Sequence, residues 1–131
     1  MRIVQPDGWP RPSGYVNGIL AEGRFLFISG QIGWDQAGQI VSDDIAAQVR
    51  QALQNTLTIL HAGGATREHV ARMTWYITDK RGYLARAKEI GAVYRDLMGK
   101  HYPAMSMIEV RALMEDGAKV EIESTAVIPH R

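Results

Sequence analysis

The 131-residue chain contains no cysteine. That excludes disulfides, Cys-based zinc or iron–sulfur centres and a thiol nucleophile. It also lacks any long apolar run. The longest, such as Phe25 to Ile28, hold a few residues, far short of the ~20 needed to span a bilayer. Neither sign of charge is in excess: 15 Lys and Arg face 14 Asp and Glu, a formal charge of +1. Nothing in that balance attracts nucleic acid or an anionic membrane surface. The N-terminal Met1 to Arg11 stretch has prolines and an aspartate but no apolar core of a secretory signal, so a cytoplasmic location is the expectation. The four histidines, His61, His69, His101 and His130, fall in no metal-binding spacing. Gly-x-Ser-x-Gly and Gly-x-Gly-x-x-Gly are both missing. No metal and no cofactor are expected.

What is present is 46% hydrophobic sequence of a length that suits one domain over residues 1–131. Such a chain buries roughly two-thirds of the surface its unfolded form exposes. Prolines and glycines through residues 1–14 predict an irregular arm. Val16 to Ala21 and Arg24 to Ser29 read as two strands joined through Glu22-Gly23. Ile45, Val49, Ala52, Leu53, Thr56, Leu57 and Leu60 then recur at spacings of three and four, which predicts a helix. Gln48, Arg50, Gln51, Gln54 and Asn55 are placed on its polar side, and Gly63-Gly64 ends it. Val70 to Thr78 alternates, with Met73, Trp75 and Ile77 on one face. A second helix is expected from Lys80 to Met98, then strands from Ala104 to Val110 and from Lys119 to Ile128.

The order predicts an α+β sandwich, a mixed sheet with two helices on one face. Two helices cannot cover both faces. The remainder carries Trp75 or Tyr76 and the Met105/Met107 or Ile108 sets, and leaving these in water is unfavourable. An oligomer is therefore expected.

Two clusters carry candidate chemistry. Ser29-Gly30-Gln31 follows an apolar strand; its hydroxyl and neighbouring backbone N–H groups suit an anionic ligand, although Ser, Gly and Gln are also ordinary at strand ends. Glu121 and Glu123 share parity on the last strand and so project to one face. Such a pair can provide a general acid or base, or simply a solvated face or an interface ion pair.

Taken together, Gly14-Tyr15, Phe27-Ile28-Ser29-Gly30-Gln31-Ile32, Ala46-Ala47-Gln48-Val49-Arg50-Gln51-Ala52-Leu53, Pro103-Ala104 and Val120-Glu121-Ile122-Glu123 occur in order along the chain. This combination resembles the Rid (YjgF) family, some of whose members carry an endoribonuclease L-PSP label. The resemblance spans Tyr15 to Val127. It implies a chorismate-mutase-like fold and a homotrimer with three clefts between subunits. It also implies cofactor-free hydrolysis of enamines and imines, such as 2-aminoacrylate, to a 2-keto acid and ammonia. Tyr15, Ser29 and Glu121 match the family's catalytic tyrosine, serine and glutamate. The carboxylate-binding arginine does not carry over, because this chain reads Pro103-Ala104-Met105-Ser106. A thioether replaces neither the charge nor the donors of a guanidinium.

A cleft lined by Met105, Met107, Gly30, Gln31 and Trp34 or His101 would favour a neutral or bulkier small molecule. Arg24 or Arg72 of a neighbouring subunit is a candidate replacement cation. Two functions follow as expectations: a deaminase-like hydrolase with changed substrate, or a trimer that binds a ligand or partner without turnover. RNA cleavage is disfavoured by the near-zero charge.

Overall fold

The structure, a computed structural model, describes residues 1–130. Its longest helix, α1 (Ile45–Ala62), starts where Asp44 accepts a 3.0 Å hydrogen bond from the Ala47 N–H. A carboxylate there also suits the positive end of the helix dipole. The apolar stripe expected of α1 is buried, with Val49, Ala52, Leu53 and Leu60 fully inside.

The main sheet runs β3 (Arg24–Ile32), β6 (Val120–Ile128), β4 (Val70–Ile77), β5 (Ala104–Glu109) in spatial order. Only the β4–β5 pair is parallel. β4 alternates as expected, sending Met73, Trp75 and Ile77 into the core beneath the helices. The facing residues of β6 are Val120, Ile122, Ser124, Ala126 and Ile128. The helices thus cover one side of a mixed sheet, as the residue pattern predicts.

Three local expectations are corrected. The segment after Tyr15 does not form a hairpin with β3. Its strand, β2 (Gly18–Leu20), pairs with β1 (Arg2–Val4), which lies inside the arm expected to be irregular. β3 pairs instead with β6, over seven registered pairs. Gly23 enforces this: its φ of +151° suits only glycine, and a Cβ there would overlap the Ile128 carbonyl. The chain is therefore pressed against the end of β6 at the point where a hairpin would turn back.

The second helix is broken. Asp79 caps α2 (Lys80–Ala85), and Arg86 leaves helical geometry before α3 (Ala87–Met98) begins. The Arg86 guanidinium donates to Asp44 at 2.6 Å and to Glu89 at 2.7 Å, tying the break to the start of α1. Leu84 is therefore 59% exposed, whereas Ile90, Val93, Tyr94 and Met98 are buried.

Gln48, placed on the polar side of α1, is fully buried. Its amide donates at 2.9 Å to the Ser42 and Gly117 carbonyls and accepts at 2.8 Å from the Lys119 N–H. A buried amide is tolerated because its polar atoms are partnered. Gly33 lies directly against it, with space for no Cβ beside the Gln48 backbone.

Candidate functional site

Between β5 and the α2–α3 unit lies a cavity of about 630 Å³. Strand pairing explains its floor: Met105 stands beside Met73 and Met107 beside Trp75, so both methionines point to the helical side. The chain after Gly14 is held at this edge by the Val16 N–H donating to the Pro103 carbonyl at 3.1 Å. That contact places Tyr15 on the rim. Across the cavity, Tyr94 stacks on Tyr102 with ring centres 5.4 Å apart and tilts against Trp75 at 6.2 Å. Burial pushes the Tyr94 and Tyr83 phenols above their ordinary range, so both are neutral at physiological pH. The Tyr94 hydroxyl donates to the His101 carbonyl at 2.6 Å. His101 itself bonds the Val70 carbonyl through Nε2 at 2.7 Å and is not on the cavity wall.

The opposite, helix-free side of the sheet carries a second hollow of about 370 Å³, lined by Phe27, Ser29, Arg72, Thr74, Glu123 and Thr125 among others. The β3–β6 register slips by one residue between Ile28 and Gln31, a bulge that re-aims the chain at Ser29-Gly30. Gln31 Nε2 donates to the Ser29 carbonyl at 3.1 Å and to its hydroxyl at 3.3 Å. The side chain of Glu121 lies flat over Gly30: a Cβ at that position would come within 2.6 Å of the carboxyl carbon.

The two glutamates have different surroundings. Glu123 accepts a 2.7 Å hydrogen bond from the Tyr76 hydroxyl, and this carboxylate raises the Tyr76 pKa. Glu121 makes no hydrogen bond or ion pair to any described residue. Around these groups the sheet face is apolar and bare, with Phe25 60%, Phe27 74% and Ile108 45% exposed.

The sequence-nominated residues thus fall into two sets. Tyr15, Met105 and Met107 share the larger cavity, while Ser29, Gly30, Gln31 and Glu121 gather at the β3 bulge. Trp34 lines neither: it bridges Ile40, and its carbonyl accepts from Asn55 at 2.9 Å. Of the two alternative arginines, Arg72 lines the smaller hollow and Arg24 sits at the far end of β3. Sequence reasoning missed Gly91 and Arg95, which line the larger cavity four residues apart on α3. Their i, i+4 spacing was the available signal. Among the described residues no three His, Asp or Glu side chains come together as a metal site.

A family model described as Endoribonuclease L-PSP matches residues 10–128. The human 2-iminobutanoate/2-iminopropanoate deaminase is 32% identical, over 96% of this chain and 89% of its own. The Rid-family protein YyfB of Yersinia pestis superimposes with a TM-score of 0.82 at 33% identity, covering 97% of this chain and 98% of that one. E. coli TdcF, solved with bound serine, gives a TM-score of 0.69 at 34% identity over 98% and 99%.

Proposed function

The chain belongs to the Endoribonuclease L-PSP (Rid/YjgF) family, and from that premise we propose that it hydrolyses small imines at clefts assembled between copies of itself in a homotrimer. The observation that carries this reading is the Glu121 carboxylate, laid over Gly30 at the β3 bulge and without a hydrogen bond to any described residue. Glu123, two residues on, is committed to Tyr76. A carboxylate with no competing donor has its acceptor sites free to take a proton from water.

The separation of the two residue sets supports the assembly. Tyr15 and Met105 share no cavity with Ser29 and Glu121 within one protomer. The exposed Phe25, Phe27 and Ile108 on the uncovered sheet face favour burial against another copy, which would bring one set to the other. The relative named a 2-iminobutanoate/2-iminopropanoate deaminase motivates the substrate class.

In the proposed step Glu121 removes a proton as the water oxygen bonds to the imine carbon. The Ser29 hydroxyl and Gly30 N–H orient the substrate. Carbinolamine collapse breaks the C–N bond, so one imine and one water give one ketone or 2-oxo acid and one ammonia. Tyr15 borders the cleft from the other side. Met105 occupies the place of a carboxylate clamp, so the substrate range differs from that of relatives that carry an arginine there.

The test is to generate 2-imino acids in situ with an amino-acid oxidase and measure their capture by semicarbazide. The wild-type protein should lower capture by accelerating hydrolysis, and Glu121→Gln should lose at least a hundredfold of that rate, the usual reach of a general base. Rates equal to buffer across aliphatic and aromatic imines would refute catalysis and leave ligand binding without turnover.

A further inference from the structure

Within the cavity lined by Met105, charge enters at one place. Among the described residues, Arg95 is the only charged side chain on the wall, and no carboxylate lines it. Arg50, Arg67 and Arg86 are each paired with an acidic side chain, whereas the Arg95 side chain makes no ion pair or hydrogen bond to the described residues. The guanidinium folds back along α3 beside Gly91, where a Cβ would stand 3.4 Å from Arg95 Nη1, in van der Waals contact with it.

The rest of the wall is apolar and aromatic, with Trp75, Tyr83, Tyr94, Tyr102 and Met105. Its volume of about 630 Å³ greatly exceeds a six-heavy-atom acid, which occupies roughly 150 Å³ when scaled from the volume of liquid water. Cavities of this size hold ligands with a substantial apolar body.

We propose that Arg95, presented by α3 across Gly91, is the positioning residue that holds the carboxylate of the ligand from the wall opposite Met105. The cavity thereby selects small carboxylates bearing an aromatic or bulky apolar group. This deepens the imine-hydrolase reading and rests on it for the identity of the substrate as a 2-imino acid.

Calorimetric titration of the full chain with phenylacetate and with the neutral phenylacetamide tests the assignment without requiring turnover. Phenylacetate should bind more tightly than acetate and than phenylacetamide. Arg95→Gln should weaken phenylacetate by about tenfold to a hundredfold, the reach of one charge-assisted contact, and leave phenylacetamide unchanged. Arg95→Lys should recover part of the loss, because it keeps the charge without the planar fork. Equal phenylacetate affinity in wild type and Arg95→Gln, or no phenylacetate binding at all, overturns the proposal. If affinities shift as stated in a protein that hydrolyses no imine, the Arg95 assignment stands and the catalytic reading falls. Hydrolysis with an unchanged Arg95→Gln affinity gives the reverse.

Discussion

Adding one methyl group at residue 30 should separate catalysis from folding. A Cβ on Gly30 would lie 2.6 Å from the Glu121 carboxyl carbon and Oε2, and 2.7 Å from its Cγ. Carbon atoms in contact settle at ~3.5–4.0 Å, so in Gly30→Ala the carboxylate must retreat by about 1 Å or swing out. Gly30 has no positive φ, and the backbone accommodates alanine without strain. Glu121 is half-buried and unpaired, so its displacement breaks no protein hydrogen bond. The smaller entropy of the unfolded alanine chain acts in the opposite direction, by about 0.4–1 kcal/mol. Stability should thus stay within about 1 kcal/mol of wild type. Catalysis has no such tolerance: a 1 Å misplacement of a reacting group costs ~10²-fold, or about 2.7 kcal/mol in the barrier. Urea denaturation at fixed protein concentration reads the first quantity, and semicarbazide competition reads the second. Glu121→Gln and Gly30→Ala act on one group, so the double variant should be no slower than the slower single. Full hydrolysis in Gly30→Ala would refute the role of Glu121, and a large loss of stability would refute its freedom to move.

Two further outcomes probe the frame around the site. Gln48→Leu strands the Ser42 and Gly117 carbonyls and the Lys119 N–H. At ~0.5–1.5 kcal/mol per hydrogen bond, the loss of these three part-buried bonds should lower stability by about 2–4 kcal/mol in urea denaturation, and a loss below 1 kcal/mol would contradict the buried role. The Asp44 carboxyl is held below the usual carboxylate range, chiefly by the hydrogen bond it accepts from Arg86. A depressed carboxyl pKa stabilises the fold above the unfolded value, and that contribution is lost as pH falls through the folded one. Asn caps helices as well as Asp, so Asp44→Asn removes only the carboxylate's charge, its exposed ion pair with Arg86 and its interaction with the helix N-terminus, together worth about 1 kcal/mol. The gap between Asp44→Asn and wild type, followed by thermal unfolding, should be present at pH 7 and close below pH 3.8; a gap independent of pH would exclude the ion pair as its source.

The elements that announced themselves did so through periodicity. The 3.6-residue stripe of α1 and the alternation of β4 are fixed by which side must be apolar, and both faces lie where the pattern put them. Gln48 escaped because a glutamine on a helix reads as solvent-facing. It is buried only because the Gly117–Lys119 segment, some seventy residues away in the chain, returns to meet it. The kink at Arg86 escaped for a similar reason: its stabilising partner, Asp44, belongs to another helix. The candidate groups Ser29, Glu121, Tyr15 and Met105 were identifiable from their segments, but their division between the cavity and the β3 bulge on the opposite side of the sheet was not.

By itself the sequence determined the chemistry available: no thiol, near-zero charge, hydroxyl and carboxylate groups on strands, and a methionine after Pro103-Ala104. It also determined α1, β4, β5 and β6, where local hydrophobic spacing is sufficient. The tertiary structure decided which strand pairs with β3, which of two like glutamates is left unpaired, and which arginine borders the cavity. Each depends on contacts between residues distant in the chain, and no local pattern encodes such distances. Glu123 is engaged because the Tyr76 hydroxyl reaches it diagonally from β4, where Tyr76 itself stands opposite Glu121, and Arg95 faces the cavity from α3 beside Gly91.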